Sequence, residues 1–249
     1  VMQCATLPRP GETVRATHHA TAQGGKGANQ ARGCARQGVR TAFIGCVGDD
    51  PYGPELRRAL EGDGVDTAGL RSAAGVPTGA AFIAVDASGQ NQILASANAN
   101  AAVGESEVAW LRRLLHPRAL LMLQLEVPLP VVFAAAVVGR SVGATVLLDP
   151  APPLTHALPR ELVEAVDWVT PNETEAEWMT GLSVARDGEA AVLDRLRGMG
   201  WRRAVLKLGE RGAVAAVEGR VLRQPAFAVE AVDSVGAGDL FSAGLAVSL

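Results

Sequence analysis

The chain has 249 residues, 23 Lys and Arg against 26 Asp and Glu, a formal net charge of −3 and 48% hydrophobic residues. That balance excludes a disordered or fibrous chain and suffices for one large α/β domain with a sizeable core. The slightly acidic charge gives no footprint for nucleic acid, and no stretch reaches the ~18 apolar residues of a membrane span, so neither partner is expected.

The chain opens on Val1-Met2-Gln3-Cys4, without the charged start and apolar run of a secretory signal. Residues 13–22 read as a strand. A glycine-rich turn follows, and then a helical pattern over residues 32–37. Residues 78–85 and 92–96 read as strands joined by Asp86-Ala87-Ser88-Gly89, a hairpin signal. These pieces, from about 10–22 and 77–97, predict a small antiparallel sheet packed as a lid over the carboxyl edge of a larger body.

From residue 119 onward the pattern alternates. Strands are predicted over 120–125, 144–148, 168–170 and 204–208, with helices over 131–139, 174–179, 190–197 and 237–249. Such alternation predicts a mostly parallel sheet covered by helices on both faces. No linker or repeat divides the chain, so residues 1–249 are expected to form a single domain of lid and α/β body. The last helix carries no stop signal, and the reading expects a chain trimmed at both ends. Cys4, Cys34 and Cys46 match neither a metal-ligand pattern nor a disulfide framework, and a reducing cytoplasm is the expected compartment. The four histidines lack metal-ligand spacing.

Two glycine-rich segments carry the chemistry. In Gln23-Gly24-Gly25-Lys26-Gly27-Ala28-Asn29-Gln30-Ala31 the glycines let backbone amides approach a ligand, and Lys26 and Asn29 add donors suited to hydroxyls or phosphate. The residue after Lys26 is glycine and no glycine stands five positions before Gly25, so this is not a P-loop. Near the other end, Val232-Asp233-Ser234-Val235-Gly236-Ala237-Gly238-Asp239 leads into an apolar helical run. Small residues at a helix start expose free amides at the positive end of the dipole, which suits an anionic oxygen. Asp239 beside such a site is suited to take a proton from a hydroxyl, though taken in isolation it reads first as a first-turn acid that complements the dipole. Glu173, Glu175 and Glu177 follow Asn172 as first-turn acids, readable as helix stabilisers or as outer support for Mg²⁺. Glu126 and Asp149 end predicted strands and point to the crevice where α/β sheets bind ligands, or to solvent as loop acids.

The order of these segments resembles the ribokinase-type carbohydrate kinases of the phosphofructokinase-B group. The resemblance is carried by Pro10-Gly11-Glu12-Thr13, the run from Gly24, Gly45-Cys46-Val47-Gly48-Asp49-Asp50, the run from Pro171, Leu208-Gly209-Glu210-Arg211-Gly212 and the segment ending at Asp239. It implies a Rossmann-like body and transfer of the γ-phosphoryl of ATP to a sugar hydroxyl, with D-ribose going to ribose 5-phosphate. It further implies Asp239 as base, with Gly236, Ala237 and Gly238 as anion-hole amides. Gly25, Lys26, Asn29 and Glu126 fall on sugar-contacting positions; Asn172, Lys207, Gly209 and Gly212 fall on the nucleotide side. Glu175 falls near Mg²⁺, and Asp233 with the carbonyl of Val235 on part of a K⁺ site that is incomplete in this chain. A homodimer through the lid is implied as well. The alternatives are a kinase for 2-deoxyribose, fructose, its phosphate or a nucleoside, and a non-catalytic sugar-binding remnant. A hydride-transfer enzyme is disfavoured, because the Gly236-x-Gly238 turn continues to Phe241 where a dinucleotide fingerprint needs a small residue.

Overall fold

The computed structural model describes residues 1–217, 219–230 and 234–249. The first half holds strands β1 (Met2–Cys4), β2 (Ala16–His19), β3 (Gly45–Gly48), β4 (Leu70–Ala73), β5 (Ala80–Val85) and β6 (Asn91–Ser96). Its helices are α1 (Lys26–Arg36), α2 (Tyr52–Gly62) and α3 (Glu105–Leu114). The second half holds β7 (Leu120–Leu123), β8 (Thr145–Leu148), β9 (Trp168–Val169), β10 (Arg203–Lys207), β11 (Ala213–Val217) and β12 (Arg220–Gln224). Its helices are α4 (Leu129–Val142), α5 (Arg160–Ala165), α6 (Glu173–Thr180), α7 (Val184–Asp187), α8 (Glu189–Gly198) and α9 (Ala237–Ser248).

The main sheet runs β12-β11-β10-β9-β8-β7. Strands β7 to β10 pair in parallel, while β11 and β12 add an antiparallel edge. Parallel strands are buried on both faces and need apolar side chains on both. Accordingly Val146, Leu147 and Leu148 of β8 are all fully buried. Successive residues of β7 identify the covering layers. A Cβ on Gly139 of α4 would come within 3.1 Å of the Leu121 side chain, whereas Met122 lies 3.8 Å from Cys34 of α1. Neighbouring strand side chains point to opposite faces, so α4 and α1 cover opposite sides of this sheet.

Helix α1 in turn packs along α9. A Cβ on Gly33 would lie 2.8 Å from the Ala243 Cβ and 3.0 Å from Leu240 Cδ2, so only glycine permits this approach. The helix also begins earlier than its pattern suggests, at Lys26 instead of residue 32. Gly25 takes φ 94° at its N-cap, and Asn29 N–H donates to the Gly25 carbonyl at 2.9 Å. The glycine-rich segment from Lys26 onward is therefore the first helical turn, with only Gln23, Gly24 and the capping Gly25 ahead of it.

A second sheet runs β2-β1-β5-β6. The β5–β6 hairpin turns where predicted, with Asp86 Oδ1 accepting from Ser88 N–H at 2.8 Å and Gln90 N–H at 3.1 Å. Strand β1, absent from the sequence reading, inserts between β2 and β5; it pairs antiparallel with β2 and parallel with β5. The sheet is rooted through Thr78, whose hydroxyl donates to Asp50 at 2.6 Å and accepts from Gly48 N–H at 2.9 Å. Strands β3 and β4 form a separate parallel pair. Among the described residues no helix is long and apolar enough to cross a membrane.

Candidate active site

On α1, Asn29, Gln30 and Gly33 share one face by helical spacing; on α9 the matching face is Asp239, Ser242 and Ala243. The close approach at Gly33 brings these faces together. Asn29 Nδ2 donates to Asp239 Oδ2 at 2.8 Å, and Gln30 Nε2 donates to Asp239 Oδ1 at 3.3 Å. Asp239 is 6% exposed and stands in the first turn of α9, where the dipole favours its negative charge.

The carboxyl ends of the parallel strands supply the next groups. Asp149 follows β8 and is 1% exposed. It accepts from Lys207 Nζ at 2.9 Å, from Gln30 Nε2 at 2.8 Å and from Ser242 Oγ at 3.3 Å. Lys207 ends β10, and its ammonium lies 3.7 Å from where a Cβ on Gly238 would be, so a cation stands beside the first turn of α9. Glu126, beyond β7, accepts from Lys26 N–H at 3.2 Å. Burial pushes its carboxyl above the usual value; the Lys26 N–H and charge oppose that, and Asp239 and Asp149 reinforce it.

The turn before α9 is set by Gly236, at φ 77°. Ala237 N–H donates to the Ser234 carbonyl at 3.1 Å, so this amide of the expected anion hole is already used within the turn. Gly238 and Asp239 occupy first-turn positions, where helical N–H groups lack an intrahelical acceptor. Val235 is 71% exposed, and Asp233 lies outside the described residues.

Asn172 caps α6, accepting from Glu175 N–H at 2.8 Å, while Glu175 accepts from Asn172 N–H at 2.8 Å and Nδ2 at 3.0 Å. This reciprocal box occupies both oxygens of Glu175. Burial raises its carboxyl; the Asn172 N–H and the charges of Lys207 and Lys26 lower it, and Asp149 raises it. Glu175 is thus electrostatically part of the site. Backbone pairing ties the two strand ends, with Lys207 N–H donating to the Pro171 carbonyl at 2.9 Å. Gly209 and Gly212, at φ 56° and 87°, turn the chain from β10 to β11 beyond Lys207. Among the described residues no three His, Cys, Asp or Glu side chains converge to cage an ion. A hard cation with its own waters and phosphate ligands needs no such cage, and the donor set fits it only in that outer role.

The structure therefore unites Lys26, Asn29, Glu126, Lys207 and Asp239, with Glu175 within electrostatic reach. It adds groups the sequence left out of the site: Gln30, Gln124, Ser242 and Thr170, and it gives Asp149 a central place. Gln124 Nε2 donates to Gln30 Oε1 at 2.6 Å, and the Thr170 and Ser242 hydroxyls lie 3.3 Å apart. Asp149 had a signal, its place at a strand end. Gln30 had only its adjacency to Asn29 in a helix not predicted to start so early.

A buried acid at a helix start, a lysine beside it and an amide-bearing helix against it suit transfer of an anionic group to a hydroxyl. Comparisons agree with that chemistry. A ribokinase of Haemophilus influenzae is 37% identical, with 100% of this chain and 81% of the relative covered. A deoxyribokinase of Salmonella typhi is 35% identical, covering 94% of this chain and 77% of the relative. The structure of Arabidopsis thaliana ribokinase complexed with ribose and ATP superposes with TM-score 0.87 at 30% identity, covering 99% of this chain and 81% of that one. The family model described as pfkB family carbohydrate kinase matches residues 2–249. With that match spanning both glycine-rich segments and the strand ends between them, the chain belongs to the pfkB family of carbohydrate kinases and is a phosphotransferase.

Proposed function

We propose that the protein transfers the γ-phosphoryl group of ATP to a hydroxyl of D-ribose, giving ribose 5-phosphate and ADP. The observation that carries this reading is the 2.8 Å bond from Asn29 to Asp239, which joins the two glycine-rich segments across 210 residues at one helix start. A sugar held there by Gly25, Lys26, Asn29 and Glu126 presents a hydroxyl to Asp239. Its proton passes to the carboxylate as the oxygen attacks the γ-phosphorus and the bond to the β-phosphate oxygen breaks. Amides of Gly236 and Gly238 take up charge on the phosphoryl oxygens, and Lys207 adds its ammonium beside them. Ala237 contributes the same way if its bond to Ser234 opens. Asn172, Gly209 and Gly212 line the nucleotide side.

Mg²⁺ carried in with ATP would neutralise the phosphates, with Glu175 accepting from its waters. A K⁺ held by Asp233 and the Val235 carbonyl would order the turn ahead of α9. The β2-β1-β5-β6 sheet is assigned as a lid that excludes water as a competing acceptor. Phe82 and Leu94, paired across it, are 61% and 76% exposed, and a second copy of the chain covering them makes the lid a dimer interface. The proposed compartment is the cytoplasm, where ATP is supplied and the three free, buried thiols stay reduced.

Phosphorylation of 2-deoxyribose is the second reading, because the deoxyribokinase relative is as similar as several of the ribokinases. A coupled ADP-release assay over D-ribose, 2-deoxyribose, fructose, fructose phosphate and a nucleoside separates these. Ribose-dependent ADP release is expected, and Asp239→Asn is expected to lower kcat about 10²–10⁴-fold with the fold retained, the usual share of a general base. Sugar-independent ADP release, or near-normal kcat in that variant, would refute the proposal.

A further inference from the structure

Between the two buried acids of the site lies a neutral side chain that touches both. Gln30 is 1% exposed and cannot itself meet a substrate. Its Nε2 donates to Asp149 at 2.8 Å and to Asp239 at 3.3 Å. Its Oε1 accepts from Gln124 Nε2 at 2.6 Å. This orientation is the one that electrostatics requires, since the reverse would press a carbonyl oxygen against two carboxylates. Gln124 lies close over α1 at Gly27, where an added Cβ would come within 3.0 Å of its Oε1.

We infer that Gln30 is a positioning residue for phosphoryl transfer. The inference rests on the reading of Asp239 as the base. Gln30 bridges the carboxylate of Asp239 to that of Asp149, which in turn holds Lys207 at 2.9 Å. One carboxamide thereby fixes the proton acceptor on α9 relative to the cation at the end of β10, and Gln124 sets its angle. Both ends act on the transition state, one at the attacking oxygen and the other at the phosphoryl charge. Loss of the bridge is therefore read in kcat, while the sugar's own contacts, and so its KM, stay in place. Hydrogen bonds to charged groups are among the strong ones, so the bridge holds its geometry without a ligand.

The test is a cycle of Gln30→Met and Gln124→Met, which keep length and remove the amides, with Asp239→Asn alongside. Folding is followed by circular dichroism and turnover by ADP release at saturating ATP. Gln30→Met is expected to lower kcat about 10- to 100-fold with the sugar KM within about twofold, the scale of a displacement near 1 Å. Gln124→Met lowers kcat less, and the double variant is no worse than Gln30→Met, because Gln124 acts only through Gln30. A folded Gln30→Met with kcat within twofold of the parent, a loss confined to KM, or losses that multiply in the double variant would each overturn the inference. If Gln30→Met does not fold, Gln124→Met decides alone, and an unchanged kcat there overturns it. Near-normal turnover in Asp239→Asn would instead remove the base assignment beneath it.

Discussion

Gly33→Ala tests whether the closeness of two helices sets the chemistry. An added Cβ would stand 2.8 Å from the Ala243 Cβ, which falls 0.6 Å short of the 3.4 Å at which ordinary contact begins. Leu240 can turn its side-chain end away, but the Ala243 Cβ is fixed to the α9 backbone, so α1 must move off α9. If the displacement passes on whole, the Asn29–Asp239 bond opens from 2.8 Å to about 3.4 Å, past the useful range of a hydrogen bond. Alanine is better than glycine in a helix by about 1 kcal/mol, while overpacking costs about 1–3 kcal/mol. The net loss of about 0–2 kcal/mol lowers Tm by only a few degrees in a chain of this size, so the protein stays folded at 25 °C. Turnover is the sensitive quantity, with an expected fall in kcat of about 10- to 100-fold. Gly244→Ala, on the same pair of helices but with nothing within 4 Å, is the control and should raise Tm with kcat unchanged. Steady-state kinetics beside thermal melts reads both. A Gly33→Ala protein with parental kcat would show that the interhelical distance does not set the site.

Other outcomes follow from the same geometry. The Glu126 carboxyl binds its proton more tightly folded than unfolded, so its ionisation costs stability as pH rises from 4.5 through its raised folded value. Glu126→Gln keeps an acceptor for Lys26 N–H and should therefore raise Tm at pH 7, with the gain vanishing below pH about 4 in thermal melts; a gain independent of pH would refute the cause. Lys207 and Asp149 side chains are 11% and 2% exposed, so Lys207→Met leaves an unpaired buried carboxylate and should cost about 3–5 kcal/mol in urea unfolding, much of it recovered on adding Asp149→Asn. Strictly additive losses in that pair would show no coupling. Sedimentation of the parent should give a dimer and Leu94→Asp a monomer; a monomeric parent would end the lid-dimer proposal.

Much of the fold was legible because periodicity is local. The alternation after residue 119 foretold β7 to β10 with α4, α6, α8 and α9, though not the short helices α5 and α7, and the Asp86–Gly89 turn foretold the β5–β6 hairpin. Asp239 at a helix start was readable from the small residues ahead of it. Strand β1 was not, since its partners β2 and β5 are remote in sequence and a short run carries little pattern. The early start of α1 was hidden because Gly27, which reads as part of a turn, sits in the helix against Phe43 and Gln124, and Gly33 further along packs on α9.

Local pattern thus already carries which chemistry-bearing groups exist, that β7 to β10 run parallel, and that an acid and free amides share one helix start. Tertiary structure alone decided their partners. The Gln30 bridge spans 119 residues to Asp149 and 209 to Asp239, and the pair of Asp149 and Lys207 spans 58. A polar side chain's partner is whatever the folded backbone brings within about 3 Å, and no local spacing encodes that distance.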